Sequence, residues 1–296
     1  MPGTVSVIIP AYNYGRFLGE AIDSVFGQTY PITEIAVIDS ASEDETQAVL
    51  AGYSGRVKNI RQANMGVCEA RNRGVAETTA EYIAFLDADD TWHPAKIEKQ
   101  MAKFATDAEI GLVHCGMREF ADGTGETIKQ HLNGGEGWIA DNLLLWQTPA
   151  IIGPGGTIIV KRSIFEEVGG FDPRLIVGED WDFCYRVARE HKIGFVGEPL
   201  VDYRNHGANA HKNVSEMERG MALMYEKAFA TDDSHVLGLK SRAYGNFHRT
   251  LAGSYLHAGD YYAFVRHSIR SLINRPSNIG YFLKFPFRRF TRSGVG

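Results

Sequence analysis

An α/β fold with a parallel sheet and helices on both faces is what this sequence predicts, on three observations. Short apolar, β-branched runs alternate with segments of helical period through the first hundred residues. Those runs have the length and composition of strands buried on both faces. Acids stand at the ends of two of them, where an open α/β sheet binds its ligand.

The elements follow in order. VSVII (5–9) is the first strand, and Phe17, Leu18, Ala21, Ile22, Val25 and Phe26 then recur at helical spacing. EIAVID (34–39) is the second strand. Ser42 with Glu45 three residues on is a capping-box signature, opening a helix to about Leu50. VKNI is a short third strand, residues 67–77 are helical, and YIAFLD (82–87) is the fourth strand. Pro94 suits the first turn of a helix that continues to about Phe104. Residues 122–137 are Gly-rich and read as a mobile loop. GTIIVKR (156–162) is another strand and WDFCYRVARE (181–190) a helix with Asp180 at its start. From about residue 216 the pattern is helical, with Gly259-Asp260 turning one helix into the next. The expected division is therefore an α/β domain over 1–215 and a helical region over 216–296. From Arg275 the chain carries five basic residues and no acid, with Tyr281, Phe282, Phe285, Phe287 and Phe290.

Composition bounds the function. With 44% hydrophobic and 23% charged residues the chain is an ordinary globular one. A net charge of −5 is mild and gives no support to nucleic-acid binding, which wants a strongly basic domain. Cys68, Cys115 and Cys184 lie far apart, which speaks against a disulfide framework or a zinc site and fits a reducing compartment. The opening MPGTVSVIIPAYN lacks a secretory signal's features, and no apolar run approaches the roughly 20 residues of a membrane span. A cytoplasmic location is expected.

The stretch AFLDADDTW (84–92) holds the chemistry. Asp87, Asp89 and Asp90 crowd the end of a buried strand, where like charges repel and lose hydration. Two carboxylates one residue apart can face one cleft, and a divalent cation relieves their repulsion. Oxygen donors with open positions suit Mg²⁺ or Mn²⁺ bound to substrate phosphates as well. The plainer alternative is a solvated loop or helix cap.

A set of motifs in order carries a resemblance. VSVIIPAYN, Gln28, EIAVID, NMGVCEARNRG (64–74), AEYIAFLDADDTWHP (80–94), VGGFDP (168–173) and GEDWDFCYR (178–186) resemble the family 2 glycosyltransferases of the GT-A fold. The resemblance covers roughly residues 4–206. It implies a Rossmann-like mixed sheet flanked by helices, here with a C-terminal helical extension. The implied activity is inverting transfer of a sugar from a nucleotide-sugar to an acceptor hydroxyl, with Mn²⁺ or Mg²⁺ bridging the diphosphate.

Residue by residue, the resemblance makes Asp89 the metal-binding acid and Asp87 the first acid of the D-x-D, meeting ribose or metal. Tyr12 matches the aromatic that stacks on the base, and Pro10 and Ala88 fall in the same nucleotide-side motifs. Asp39 matches the first of two nucleoside-reading acids; Ser40 stands where the second usually is, and Ala41-Ser42 where Gly-Ser usually is. A serine accepts without charge, so its hydrogen bond to the base is weaker. A UDP-sugar is favoured, with dTDP- and GDP-sugars left open. Arg71 matches the arginine of A-R-N, or else pairs structurally with an acid. Asp180, with Glu179 beside it, matches the base that deprotonates the acceptor; the alternative is favourable charge at a helix N-terminus. Trp181 is either a platform for the acceptor sugar or a core residue. His206 is a candidate third metal ligand as neutral imidazole.

The implied partners are the donor and a glycan or lipid-linked acceptor, as in surface polysaccharide or glycolipid assembly. The basic, aromatic tail suits a peripheral contact with the inner face of the cell membrane, a helix packed on the catalytic domain or a homodimer contact. Two rivals stand beside this reading. A sugar nucleotidyltransferase would need a Gly-rich basic loop that PAYNYGRF does not offer. A non-catalytic nucleotide-sugar- or carbohydrate-binding protein would bind without turnover.

Overall fold

One mixed sheet of nine strands dominates the computed structural model, which describes residues 3–206 and 214–283. The strands are β1 (Val5–Ala11), β2 (Glu34–Asp39), β3 (Lys58–Arg61), β4 (Tyr82–Phe85), β5 (Thr91–Trp92), β6 (Ile110–Ala121), β7 (Thr127–His131), β8 (Ile159–Lys161) and β9 (Lys192–Asn205). Their order is β3-β2-β1-β4-β8-β6-β9-β5, with β7 paired to β6. The run β3-β2-β1-β4 is parallel, as the alternation of strands and helices predicts. Beyond β4 the pairs β4–β8, β6–β8, β6–β7 and β5–β9 are antiparallel. Only β6–β9 is parallel there, and the whole is the mixed sheet implied by the resemblance.

Helices cover both faces of the parallel half. α1 (Gly15–Phe26) buries Leu18, Ala21, Ile22 and Val25 against Val5, Val7 and Ile9. α2 (Thr46–Ala51) follows β2, and α3 (Val67–Ala76) lies on the face that carries Ile8 and Ile38. At Gly74 any Cβ would collide with the Ile8 side chain, so glycine lets α3 sit close on the sheet. The Ser42–Glu45 capping box does not form. Ser42 Oγ instead accepts from the Asn13 amide at 2.9 Å, and Asp44 Oδ1 accepts from the Thr46 amide at 3.0 Å. α4 (Lys96–Phe104) starts two residues after Pro94.

The remaining helices before β9 are α5 (Ala140–Leu144), α6 (Pro154–Thr157), α7 (Arg162–Glu167) and α8 (Glu179–Glu190). Two local expectations are corrected. The Gly-rich stretch 122–137 is not simply a loop, since Thr127–His131 forms β7 on β6. Gly156 and Thr157 belong to the single turn α6, and the strand begins only at Ile159.

The chain divides into two units, residues 3–143 with 148–206, and residues 144–147 with 214–283. The second is helical: α9 (Val214–Ala228), α10 (Ser234–His257), α11 (Tyr261–Asn274) and α12 (Ile279–Leu283). Its core is aromatic, with Tyr225, Phe229, Tyr244 and Phe247 in mutual contact. Tyr225 is fully buried and its hydroxyl donates to the Leu144 carbonyl at 2.8 Å. The turn read from Gly259-Asp260 is present: Gly259 takes φ +81°, and Asp260 caps α11 by accepting from the Ala263 amide. Among the described residues no helix is long and apolar enough to cross a membrane. Of the tail, Phe285, Phe287 and Phe290 lie outside the described residues.

Candidate active site

The strand order reverses between β1 and β4, the switch point where open α/β sheets bind their ligands. Pairing of β1 with β4 stops at Ile8–Phe85, whereas pairing of β1 with β2 continues through Pro10 to Ala11. A proline has no N–H for a further rung, so Pro10 suits the place where β1 and β4 part.

On the β1–β2 side, Tyr12 is 47% exposed, an aromatic face left open beside the strand end. Asn13, at φ +57°, ties the two loops together: its amide donates to Ser42 Oγ and its Oδ1 accepts from the Glu43 amide, both at 2.9 Å. Asp39 is fully buried; Oδ1 accepts from the Ser42 amide at 2.9 Å and Oδ2 from Gln47 Nε2 at 2.6 Å. Ser40 is buried beside it. Ala41 sits at φ +59°, the left-handed region that glycine favours, at a cost of about 1 kcal/mol for a residue with a Cβ.

On the β4 side the three carboxylates take different surroundings. Asp89 is tucked in, with Oδ2 3.0 Å from His206 Nε2. Burial raises its pKa, the Asp87 charge raises it further, and His206 opposes both. Asp90 is buried deepest, and its Oδ1 accepts the Arg204 amide at 2.9 Å. Burial pushes its pKa well above the usual carboxylate range. Asp90 therefore serves to fasten β9 to the β4 loop. Ala88 turns its methyl into the core, which leaves its backbone as the part able to meet a ligand. Asp87 is the most open of the set at 34% exposure and turns to Arg71.

Arg71 joins the two halves of the site. It lies one turn before Gly74 on α3 and is 3% exposed. Nη2 donates to Asp87 Oδ1 at 3.0 Å, and Nη1 to Glu179 Oε1 at 3.2 Å. One guanidinium fork thus bridges the end of β4 and the start of α8. Its pKa is raised by Asp87, Glu179 and Asp180 against the effect of burial. Glu179 is raised as well: burial and then the Asp180 charge push it up to about 7, despite Arg71. Both shifts express one imbalance, three carboxylates around one cation in a place poor in water.

Asp180, half-buried, accepts from the Trp181 amide at 2.7 Å, a contact that fits its plainer, helix-terminal alternative. Trp181 donates its indole N–H to the Leu143 carbonyl at 3.2 Å, which fixes the ring.

Three contributors have little signal in the sequence. Gly153, at φ +44°, opens α6. A Cβ on Gly155 would collide with Asp87 Oδ2, so the Gly-Pro-Gly-Gly run exists to bring backbone against the acids. Tyr14 stands by the cluster; burial, then Asp89 and Asp87, raise its pKa to about 12. Its ring meets the His206 ring edge-on at 5.9 Å, and Phe17 stacks on the same imidazole at 5.3 Å. Arg204, two residues before His206, donates to the Asp89 carbonyl, Asp122 and Glu20. Neither Tyr14 nor Arg204 belongs to a periodic pattern or a motif.

Among the described residues no three His, Cys, Asp or Glu side chains are gathered as a metal cluster. Asp89 and His206 supply two donors, one carboxylate and one imidazole. That set fits a hard divalent cation that keeps positions for water and phosphate oxygens.

Residues 6–169 match the model of glycosyl transferase family 2. An uncharacterised glycosyltransferase of Nostoc sp. is 34% identical over 219 residues, covering 71% of this chain and 67% of that protein. The amylovoran biosynthesis glycosyltransferase AmsB of Erwinia amylovora is 27% identical, covering 67% of this chain and 68% of that one. A relative in Rickettsia bellii is longer, and the chain spans 31% of it. The structure of S. aureus TarS 1–349 in complex with UDP-GlcNAc superposes with a TM-score of 0.65 over 92% of both chains, at 15% identity. Mannosyltransferase PcManGT from Pyrobaculum calidifontis, in complex with GDP-Man and Mn²⁺, gives 0.63 over 99% of this chain and 84% of that one, at 19% identity. Those two likenesses bear on the fold, which is GT-A, and the sequence matches bear on the family: this chain belongs to glycosyl transferase family 2.

Proposed function

We propose that the chain transfers a sugar from a nucleoside-diphosphate sugar to an acceptor hydroxyl with inversion at the anomeric carbon. One observation carries this most: Arg71 holds Asp87, from the end of β4, and Glu179, from the start of α8, on one guanidinium. The donor side and the acceptor side of an in-line displacement thereby share a single cleft.

On the donor side Tyr12 offers a face for the base, and Asp39 and Ser40 stand where the nucleoside is read. Asp89 with His206, and Asp87 where the donor draws it from Arg71, would hold Mn²⁺ or Mg²⁺. When bound, that cation neutralises the departing diphosphate. On the acceptor side Asp180 takes the proton of the attacking hydroxyl, and Trp181 supports the acceptor sugar. Glu179, poised near neutrality, balances charge beside it. Arg71 orients Asp87 and Glu179 before substrate arrives, so that positioning and charge stabilisation provide most of the acceleration.

A UDP-sugar is the favoured donor. TarS 1–349 is in complex with UDP-GlcNAc and PcManGT with GDP-Man, so the fold accommodates either base, and Ser40 in place of an acid leaves the choice open here. A glycan or lipid-linked molecule is our reading of the acceptor; the similar AmsB is a glycosyltransferase of amylovoran biosynthesis.

The test is thermal unfolding with a panel of UDP-, dTDP- and GDP-sugars, with and without Mn²⁺, for wild type and Asp89→Ala. One base should stabilise the wild type by about 2.7 kcal/mol at a hundredfold excess over Kd. The effect should need Mn²⁺ and vanish in Asp89→Ala. Equal stabilisation of the variant, or none of either protein, would remove Asp89 from the donor site.

A further inference from the structure

The second unit carries an exposed apolar stripe that its own core does not use. On α11, Tyr262, Val265, Ile269 and Ile273 recur three and four residues apart and so share one face. Ala263, His267 and Ser271 occupy the opposite, buried face. Tyr262 is 80% and Ile273 74% exposed, and Ile279 and Leu283 extend the apolar surface along the chain. A run of outward apolar side chains on one helix is unusual for a surface that meets only water.

The charge around this stripe identifies what covers it. From Tyr261 to Gly296 the sequence holds seven Arg or Lys residues and no Asp or Glu. The preceding 260 residues hold the other 24 basic residues and all 36 acidic ones. An acidic chain thus carries a purely basic run from Tyr261 onward; within it Arg270 is exposed beside the stripe on α11, while Arg266 pairs with Glu218 of α9. A second copy of the same segment is a poor partner, because self-association would set two such segments of like charge together. An anionic lipid surface matches both features, taking the apolar side chains at the acyl boundary and the cations at the headgroups.

We infer that the Tyr262–Ile273 face of α11, with Arg270 beside it, docks the protein on an anionic membrane surface. No helix needs to cross the bilayer for this, and the inference is independent of which sugar is transferred.

The full chain should co-sediment with vesicles of phosphatidylcholine containing about a third phosphatidylglycerol, and should be released as salt rises, because exposed charge attraction is screened within roughly 10 Å at 0.1 M. Pure phosphatidylcholine should bind it at least about tenfold less. Ile269→Asp with Ile273→Asp, at exposed positions, should keep the wild-type circular dichroism and melting temperature yet lose about tenfold or more in vesicle binding. Overturning results are no binding to anionic vesicles, or undiminished binding by the double variant. A concentration-dependent dimer in sedimentation velocity, abolished by the same substitutions without vesicle binding, would assign the stripe to a second copy instead. Retention of donor-induced stabilisation in the double variant separates this outcome from any failure at the transferase site.

Discussion

Replacing Asp180 by Asn lowers the transfer rate by about 10²- to 10⁴-fold, the usual contribution of a positioned general base. The substitution keeps size and shape, and the amide oxygen of Asn can still accept the Trp181 amide that Asp180 accepts now. What it removes is the ability to take a proton from an acceptor hydroxyl. Donor affinity, measured by calorimetry with Mn²⁺, should stay within about twofold, because the donor side is built from β1, β2 and β4 rather than from α8. Parallel loss of donor binding and turnover would make Asp180 a structural acid of the α8 terminus. A kcat loss with unchanged donor Kd is the signature of a group used in the transition state.

Arg71→Met has the largest expected effect on stability. The side chain is almost wholly buried, and its removal leaves Asp87 and Glu179 facing each other without a cation. Removing one partner of a buried ion pair costs about 3–5 kcal/mol. Asp87 is a third exposed and Glu179 can take up a proton near neutral pH, so the lower end applies, about 3 kcal/mol. For a unit of this size that corresponds to a melting temperature lower by about 6–12 °C. Adding Glu179→Gln to Arg71→Met should recover part of the loss, since the stranded charge is then gone. A change in melting temperature under about 2 °C would show that the fork does not hold the two segments.

The same two residues show what was legible in the sequence. The parallel half of the sheet could be read because β1, β2 and β4 are buried on both faces and therefore nearly continuous in apolar character. β9 could not, because KIGFVGEPLVDYRN mixes buried and open positions and is broken by Gly197 and Pro199. β7 was hidden by its exposed, polar sequence TIKQH inside a Gly-rich stretch. At the site, local motifs singled out Asp87, Asp89 and Asp180 as candidates but could not say which acid faces which cation. Arg71 had two readings, and in the fold it is both an ion-pair partner of the acids and a neighbour of the site. Arg204 stands at the site through a partner 184 residues distant, Tyr14 through the His206 ring and Gly155 by an absent Cβ, and spacing along the chain carries none of that.

A crystal structure of the chain with Mn²⁺ and its stabilising nucleotide-sugar tests the shared cleft most directly. The metal's anomalous peak should fall between Asp89 and the diphosphate, with the sugar's anomeric carbon presenting its free face to the Asp180 carboxylate. A donor bound elsewhere, or one hexose unable to span from Asp89 to Asp180, would contradict it.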